Sequence, residues 1–208
     1  MTENENILEK LSHLNGADFK DVIGESVEAI SIVFDTVLGT PLSSVAKSFI
    51  KSANSFSNYL FARRLVIFLH NVNALKISER RVLSQMLNKE KGLKAGEILL
   101  ELIEKMDDDR KAILLAELAK GIVRDKEMTL DLFYRFGHII KNSYYPDLEK
   151  LKDFFTEGYV RGTSESLNNM GLLSIGNVIQ NKTDSMNRYI ISELGILLNK
   201  YISKVGNQ

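Results

Sequence analysis

Apolar residues recur at helical spacing through most of this chain. Ile7, Leu8, Leu11 and Leu14 mark a first helix that Asn15-Gly16 stops. Asp18 can cap a second, running through Val22, Ile23, Val27, Ile30 and Phe34 towards Leu38, where Gly39-Thr40-Pro41 breaks the pattern. Residues 49–72 carry a thick stripe of Phe49, Phe56, Leu60, Phe61, Leu65, Phe68 and Leu69. One local device then repeats three times: an apolar residue precedes a capping residue, and an amphipathic helix follows. The pairs are Ile77-Ser78, Met106-Asp107 and Met128-Thr129. A cap oxygen accepts an orphan amide hydrogen bond, and the apolar residue before it staples onto the first turn. The helices predicted are 79–88, 108–123 and 130–141, with a further one over 93–105 entered through Gly92. Short connections make neighbours antiparallel, which gives a compact bundle.

The pattern changes after Pro146, which opens a helix over 147–155 rich in early acidic residues. Residues 156–163 (TEGYVRGT) read as a Gly-containing connector, and Ser164 starts a short helix. Leu167, Met170, Leu172 and Leu173 then serve one core, with Gly171 suited to a left-handed helix end. Residues 175–180 and 189–192 are strand candidates around a polar tip at 181–188. A closing helix begins at Ser192 or Glu193 and turns Leu194, Leu197, Leu198 and Tyr201 inward.

The order L-x-x-M-G-L-L, polar hairpin, Y-I-I-S-E-L-G-x-L-L resembles the wing and closing helix of bacterial winged-helix domains. It is also similar to the tail of bacterial abortive-infection alpha-type proteins. The helices before it resemble tellurite-resistance-B-like bundles, but Arg124-Asp125-Lys126-Glu127 stands where acidic Asp-Gly turns are expected. The expected fold is mostly α: a multi-helix bundle over 1–145, then a small winged-helix-like α/β-hairpin unit over 146–208, separate or packed as one domain. In DNA-binding members the helix before the hairpin enters the major groove. Here that helix offers Ser164, Glu165, Ser166, Asn168 and Asn169 without a cation, and the wing has only Lys182 and Arg188. Phosphate contacts come largely from Lys and Arg, so a structural or protein-contact use is expected of it.

Composition narrows the chemistry. The chain has no cysteine, which excludes disulfides, zinc–thiolate sites and thiol catalysis. Formal net charge is zero, against a protein built mainly to coat nucleic acid. The polar, acidic start at 1–6 lacks the basic and apolar regions of a secretory signal, so an intracellular location is expected. His13, His70 and His138 stand apart, and Asp107-Asp108-Asp109 lacks a calcium-loop pattern and sits where a helix start favours acids. Ser44-x-x-Lys47 and Ser48-x-x-Lys51 have no supporting acyl-transfer elements, and no phosphate loop or dinucleotide fingerprint occurs. No catalytic, metal or cofactor site and no small-molecule substrate is expected.

Two surfaces remain. Arg63, Arg64, Lys76, Arg80, Arg81, Lys89, Lys91 and Lys94 face only Glu79 and Glu90 between positions 63 and 94. They read either as a basic interaction ridge or as cations that meet the chain's own acidic faces. Residues 29–46 carry Asp35 as their only formal charge but are too short, too polar and too interrupted to span a bilayer. They read as a buried helical pair or as an interfacial membrane segment followed by Lys47, Lys51, Arg63 and Arg64. The function expected is a non-enzymatic intracellular interaction protein of bacterial or phage origin, in phage defence or its regulation, with a protein partner or self-association. The alternatives are an effector peripheral to the inner face of the membrane, through residues 29–46, and a DNA-binding regulator.

Overall fold

The computed structural model describes residues 9, 10, 13, 35, 56–89, 93–151, 154, 160–161, 165–175 and 188–205. The chain divides into two compact units, Met1–Lys141 and Asn142–Gln208. The first is a multi-helix bundle and the second ends in a small antiparallel hairpin followed by a helix, so the molecule is mostly α as expected.

In the first unit, α1 (Phe56–Val72), α2 (Ile77–Lys89), α3 (Leu93–Glu104), α4 (Asp109–Arg124) and α5 (Leu130–Asn142) follow one another with few residues between them. α1 and α4 make the most extensive helix–helix packing; α3 packs on α1, α2 packs on α4, and α2 and α3 pack on each other. Their sequences explain the pairing. From Tyr59 to Val72, α1 buries Phe61, Leu65, Val66, Phe68 and Leu69 around most of its circumference, as a central helix must. α4 buries nearly its whole middle, Lys111 to Ile122 with only Ile113 partly open. Alanines at 112, 116 and 119 recur at helical spacing there, and small side chains let helix axes approach closely. Each fully buried Leu or Phe contributes roughly 1.5–3 kcal/mol.

The capping device holds with a change of register. Thr129 Oγ accepts from the amide of Leu132 at 3.2 Å and caps α5 as expected, with Met128 buried before it. The cap of α4 is Asp108, which accepts from the Arg110 amide at 2.8 Å, one residue later than the Met106-Asp107 pattern suggests. At α2 the shift is larger. The helix begins at Ile77, and the Glu79 carboxylate reaches back to the Lys76 amide at 2.7 Å, which is half of a capping box. The buried residue before that cap is Leu75, while Ile77 is 69 % exposed. Ser78 lies inside the helix rather than capping it.

In the second unit, α6 (Tyr145–Glu149) carries Pro146 in its first turn, and Leu151 and Phe154 beyond it are helical and buried. β1 (Val160–Arg161), α7 (Glu165–Asn169), β2 (Leu173–Ile175), β3 (Arg188–Ile191) and α8 (Glu193–Val205) follow. The sheet order is β1-β3-β2, all antiparallel, with Leu173 opposite Ile191 and Val160 opposite Tyr189. β1 corrects the reading of 156–163 as a plain connector: a two-residue strand is too short to show periodicity.

α7 ends in a Schellman turn. The Leu172 amide donates to the Leu167 carbonyl at 2.9 Å and the Gly171 amide to that of Asn168 at 2.8 Å, with Gly171 at φ 75°. Leu167 and Leu172 are fully buried, which supplies the hydrophobic contact such turns favour. Ser192 joins this turn to α8. Its hydroxyl donates to the Gly171 carbonyl at 2.6 Å and accepts from the Gly195 amide at 3.0 Å, while its own amide donates to Leu172. α8 buries Leu198, Tyr201 and Ile202; the expected inward Leu194 and Leu197 are only partly covered. A terminal hairpin followed by a helix is compatible with a winged-helix-like motif. Its tip, including Lys182, lies outside the described residues.

Candidate functional site: the basic segment of the bundle

The three acids at 107–109 meet three different sets of cations. Asp109 receives Arg63 Nε at 2.7 Å, with Arg64 Nε at 3.9 Å. Asp108 is held by Arg110 through Nε and through Nη2, the latter at 2.7 Å. Asp107 pairs with Lys111. Partial burial alone would raise the Asp108 carboxyl, but the Arg110 side chain and amide outweigh it and hold the group below the ordinary carboxylate range.

Arg64 departs from the sequence expectation. It is only 6 % exposed, so it is a core residue and not part of a solvent-facing ridge. Its Nη1 donates to the Glu104 carbonyl at the end of α3, at 3.4 Å. Lys111, with no exposed surface, treats α5 in the same way: its Nζ donates to the Lys141 carbonyl at 3.3 Å. Both cations sit at the negative end of a helix and satisfy a carbonyl that has no intrahelical partner. Burial lowers the Arg64 pKa against the opposing field of Asp109. Arg63 is half-covered; burial pulls its pKa down, but Tyr59 and Asp109 together carry it above the ordinary arginine value.

The remaining predicted cations lie along the turn before α2 and α2 itself. Arg80 donates through Nη1 to Asn73 Oδ1, and its Nε is buried. Glu79, the acid of α2, is engaged by Arg124 through two bonds of 2.9 Å. With the Lys76 amide these bonds bring its pKa down to about 2. Lys76 and Arg81 are exposed and make no ion pair with a described residue. Lys89 lies on α2 and Lys94 on α3, their side chains outside the described set, as is Lys91. The structure therefore withdraws Arg64, ties down Arg63 and Arg80, and leaves Lys76 and Arg81 to solvent.

The outward side of α2 also carries what the charge reading missed. Ile77, Val82 and Met86 are 69 %, 40 % and 39 % exposed, beside exposed Ser78, Arg81 and Gln85. Leu83 and Leu87 face the core instead. The signal was legible: 77, 82 and 86 fall off the 83–87 line at helical spacing.

Other candidates resolve as follows. His13 and His138 are exposed. His70 is half-buried, and burial lowers its pKa against the field of Glu9. No group of three or more His, Asp or Glu is gathered as for a metal ion among the described residues. Of residues 29–46 only Asp35 is described, and it is exposed in helical backbone; the two Ser-x-x-Lys sequences lie outside the described residues. No helix among the described residues is long and apolar enough to cross a membrane. Comparison with family models, curated proteins and solved structures finds no match for the chain.

Proposed function

We propose that this chain is a non-enzymatic interaction protein whose contact surface is the outward side of α2. One observation carries the reading: Ile77, Val82 and Met86 remain exposed on the helix that carries Arg81, while Arg63, Arg64 and Arg80 are engaged inside the bundle. Exposed large apolar side chains grouped on one element favour a covering partner, whereas scattered ones need no explanation. The hairpin and α8 are read as a winged-helix-like module used for support or protein contact, since α7 brings no cation to a phosphate backbone. The phage-defence setting and the kinship with abortive-infection proteins rest on that resemblance alone.

The test is quantitative capture from cells of the source organism with the full chain and with its Val82→Asp/Met86→Asp form. Both positions are partly exposed, so the variant is expected to keep its circular-dichroism spectrum. A stoichiometric protein retained by the parent and lost by the folded variant supports the reading. Equal recovery by both overturns it.

A further inference from the structure

We infer that Met170 is a redox-responsive modification site: a peroxide oxidises its thioether on the lone pair that Ser143 leaves free, and the product loosens α7 from α6. Nothing in this depends on the α2 surface. The chain has six methionines and no cysteine, so thioethers are its only sulfur groups. Met106 and Met128 are buried, whereas Met86 is exposed and Met170 is partly open to solvent. Met170 carries a partner: Ser143 Oγ donates to its Sδ at 2.9 Å. Ser143 is only 3 % exposed and lies in the short link between α5 and α6. A second bond, from Ser166 Oγ to Asp147 Oδ2 at 3.2 Å, joins the start of α7 to α6. Met170 directly follows α7 and precedes Gly171 of the Schellman turn. The two bonds therefore tie both ends of α7 to the chain around α6.

A thioether sulfur has two lone pairs, and oxygen added to one or the other gives different sulfoxide epimers. The Ser143 hydroxyl engages one pair and draws electron density from it. Oxygen therefore adds to the other. The free lone pair attacks one peroxide oxygen, the O–O bond breaks, and the departing hydroxide takes the proton of the transferred hydroxyl. A sulfoxide and a water result, with sulfur oxidised and the peroxide reduced. The oxidised sulfur is a poor acceptor, and its new oxygen points away from Ser143. The tie at the end of α7 is lost, and a polar, chiral group enters the turn that buries Leu167 and Leu172. Methionine sulfoxide reductases reverse the change, one enzyme for each epimer.

The test exposes the folded full chain to dilute hydrogen peroxide and then digests it. Portions of the digest are treated with one or the other epimer-specific reductase, and the Met170 and Met86 peptides are quantified by mass spectrometry. For Met170 one reductase is expected to restore about five times as much methionine as the other, the bias that a typical net hydrogen bond supports. The exposed Met86 should be restored equally by both. Ser143→Ala should equalise the Met170 result. Urea denaturation gives the second readout. Peroxide should lower the midpoint of the parent and leave that of Met170→Leu, a volume-conserving exchange, nearly unchanged. Equal epimers at Met170 in the parent overturn the inference, as does a bias that persists in folded Ser143→Ala. So does an equal midpoint loss in Met170→Leu, or a Met170 left intact once Met86 is converted. The epimer ratio of the parent decides the matter if Ser143→Ala does not fold.

Discussion

Single residues decide how the hairpin end of the chain is closed. A Cβ at Gly195 would collide with the Leu172 carbonyl oxygen and come within 2.8 Å of Ile191 Cγ1. The first obstacle is backbone already engaged with Ser192, so it cannot swing aside. Gly195→Ala is therefore expected to cost roughly 1–3 kcal/mol by overpacking, read as a lowered urea midpoint. Gly137 offers the contrast. Its added Cβ would lie 2.6 Å from Leu102 Cδ1, the movable end of a side chain. Gly137→Ala also gains up to ~1 kcal/mol of helix propensity, so it should be the milder of the two; the reverse order would contradict this packing.

Glu79 gives a pH signature at the same scale. Its folded pKa, about 2, lies below the ordinary 4.5 because Arg124 and the Lys76 amide favour the carboxylate. The contribution of these bonds is thus complete above pH 4.5 and is lost as pH falls through about 2. The urea midpoints of the parent and of Glu79→Gln should differ at pH 6 and converge between pH 4.5 and 2. A gap that persists at pH 2 would show that another property of Glu79 matters. Arginine roles were the least legible residues in the sequence. Arg63 and Arg64 are adjacent and chemically identical, yet one is half-open on Asp109 and the other closed over the end of α3. That difference depends on where α3 and α4 lie, which a one-dimensional pattern does not contain.

At the scale of elements, α4 buries an ion pair along its own length. Glu117 and Lys120 are both buried, at 6 % and 9 % exposure, and pair with each other one turn apart. Neutralising one breaks the buried pair, which typically costs ~3–5 kcal/mol. Glu117→Gln and Lys120→Met should each approach that loss in urea denaturation. Glu117→Leu/Lys120→Met should lose less than either, because a buried pair replaced by apolar side chains of similar size is often neutral. Double-variant losses equal to the sum of the singles would mean the two charges act independently. The helices themselves were legible: α3 begins where expected, α5 is capped by the expected Thr129, and α8 starts at Glu193. These signals are local, resting on a cap and a period. The start of α2 misled because Ile77-Ser78 spells a staple and cap, while Leu75 and Glu79 supply a better one. β1 had no local signal, since Val160 and Arg161 are a strand only through their pairing with Tyr189 and Arg188.

At the scale of the molecule, zero formal charge conceals an uneven distribution. The bundle segment 63–94 holds eight cations against Glu79 and Glu90, whereas α7 has no cation. Any affinity for a polyanion should therefore arise on the bundle, through the cations not already matched internally. Within 63–94 the described ones are Lys76 and Arg81, since Arg63 is paired to Asp109 and Arg64 is buried. Each phosphate-like contact contributes a slope near one in log affinity against log salt. Arg81→Ala is expected to lower that slope by about one for a generic duplex or for heparin. Lys182→Ala/Arg188→Ala should leave it unchanged, and binding should be indifferent to base sequence. A gel-shift series over salt checks both statements. Loss of binding through Lys182 and Arg188 instead would make the hairpin the nucleic-acid surface and restore the regulator reading that the charges of α7 disfavour.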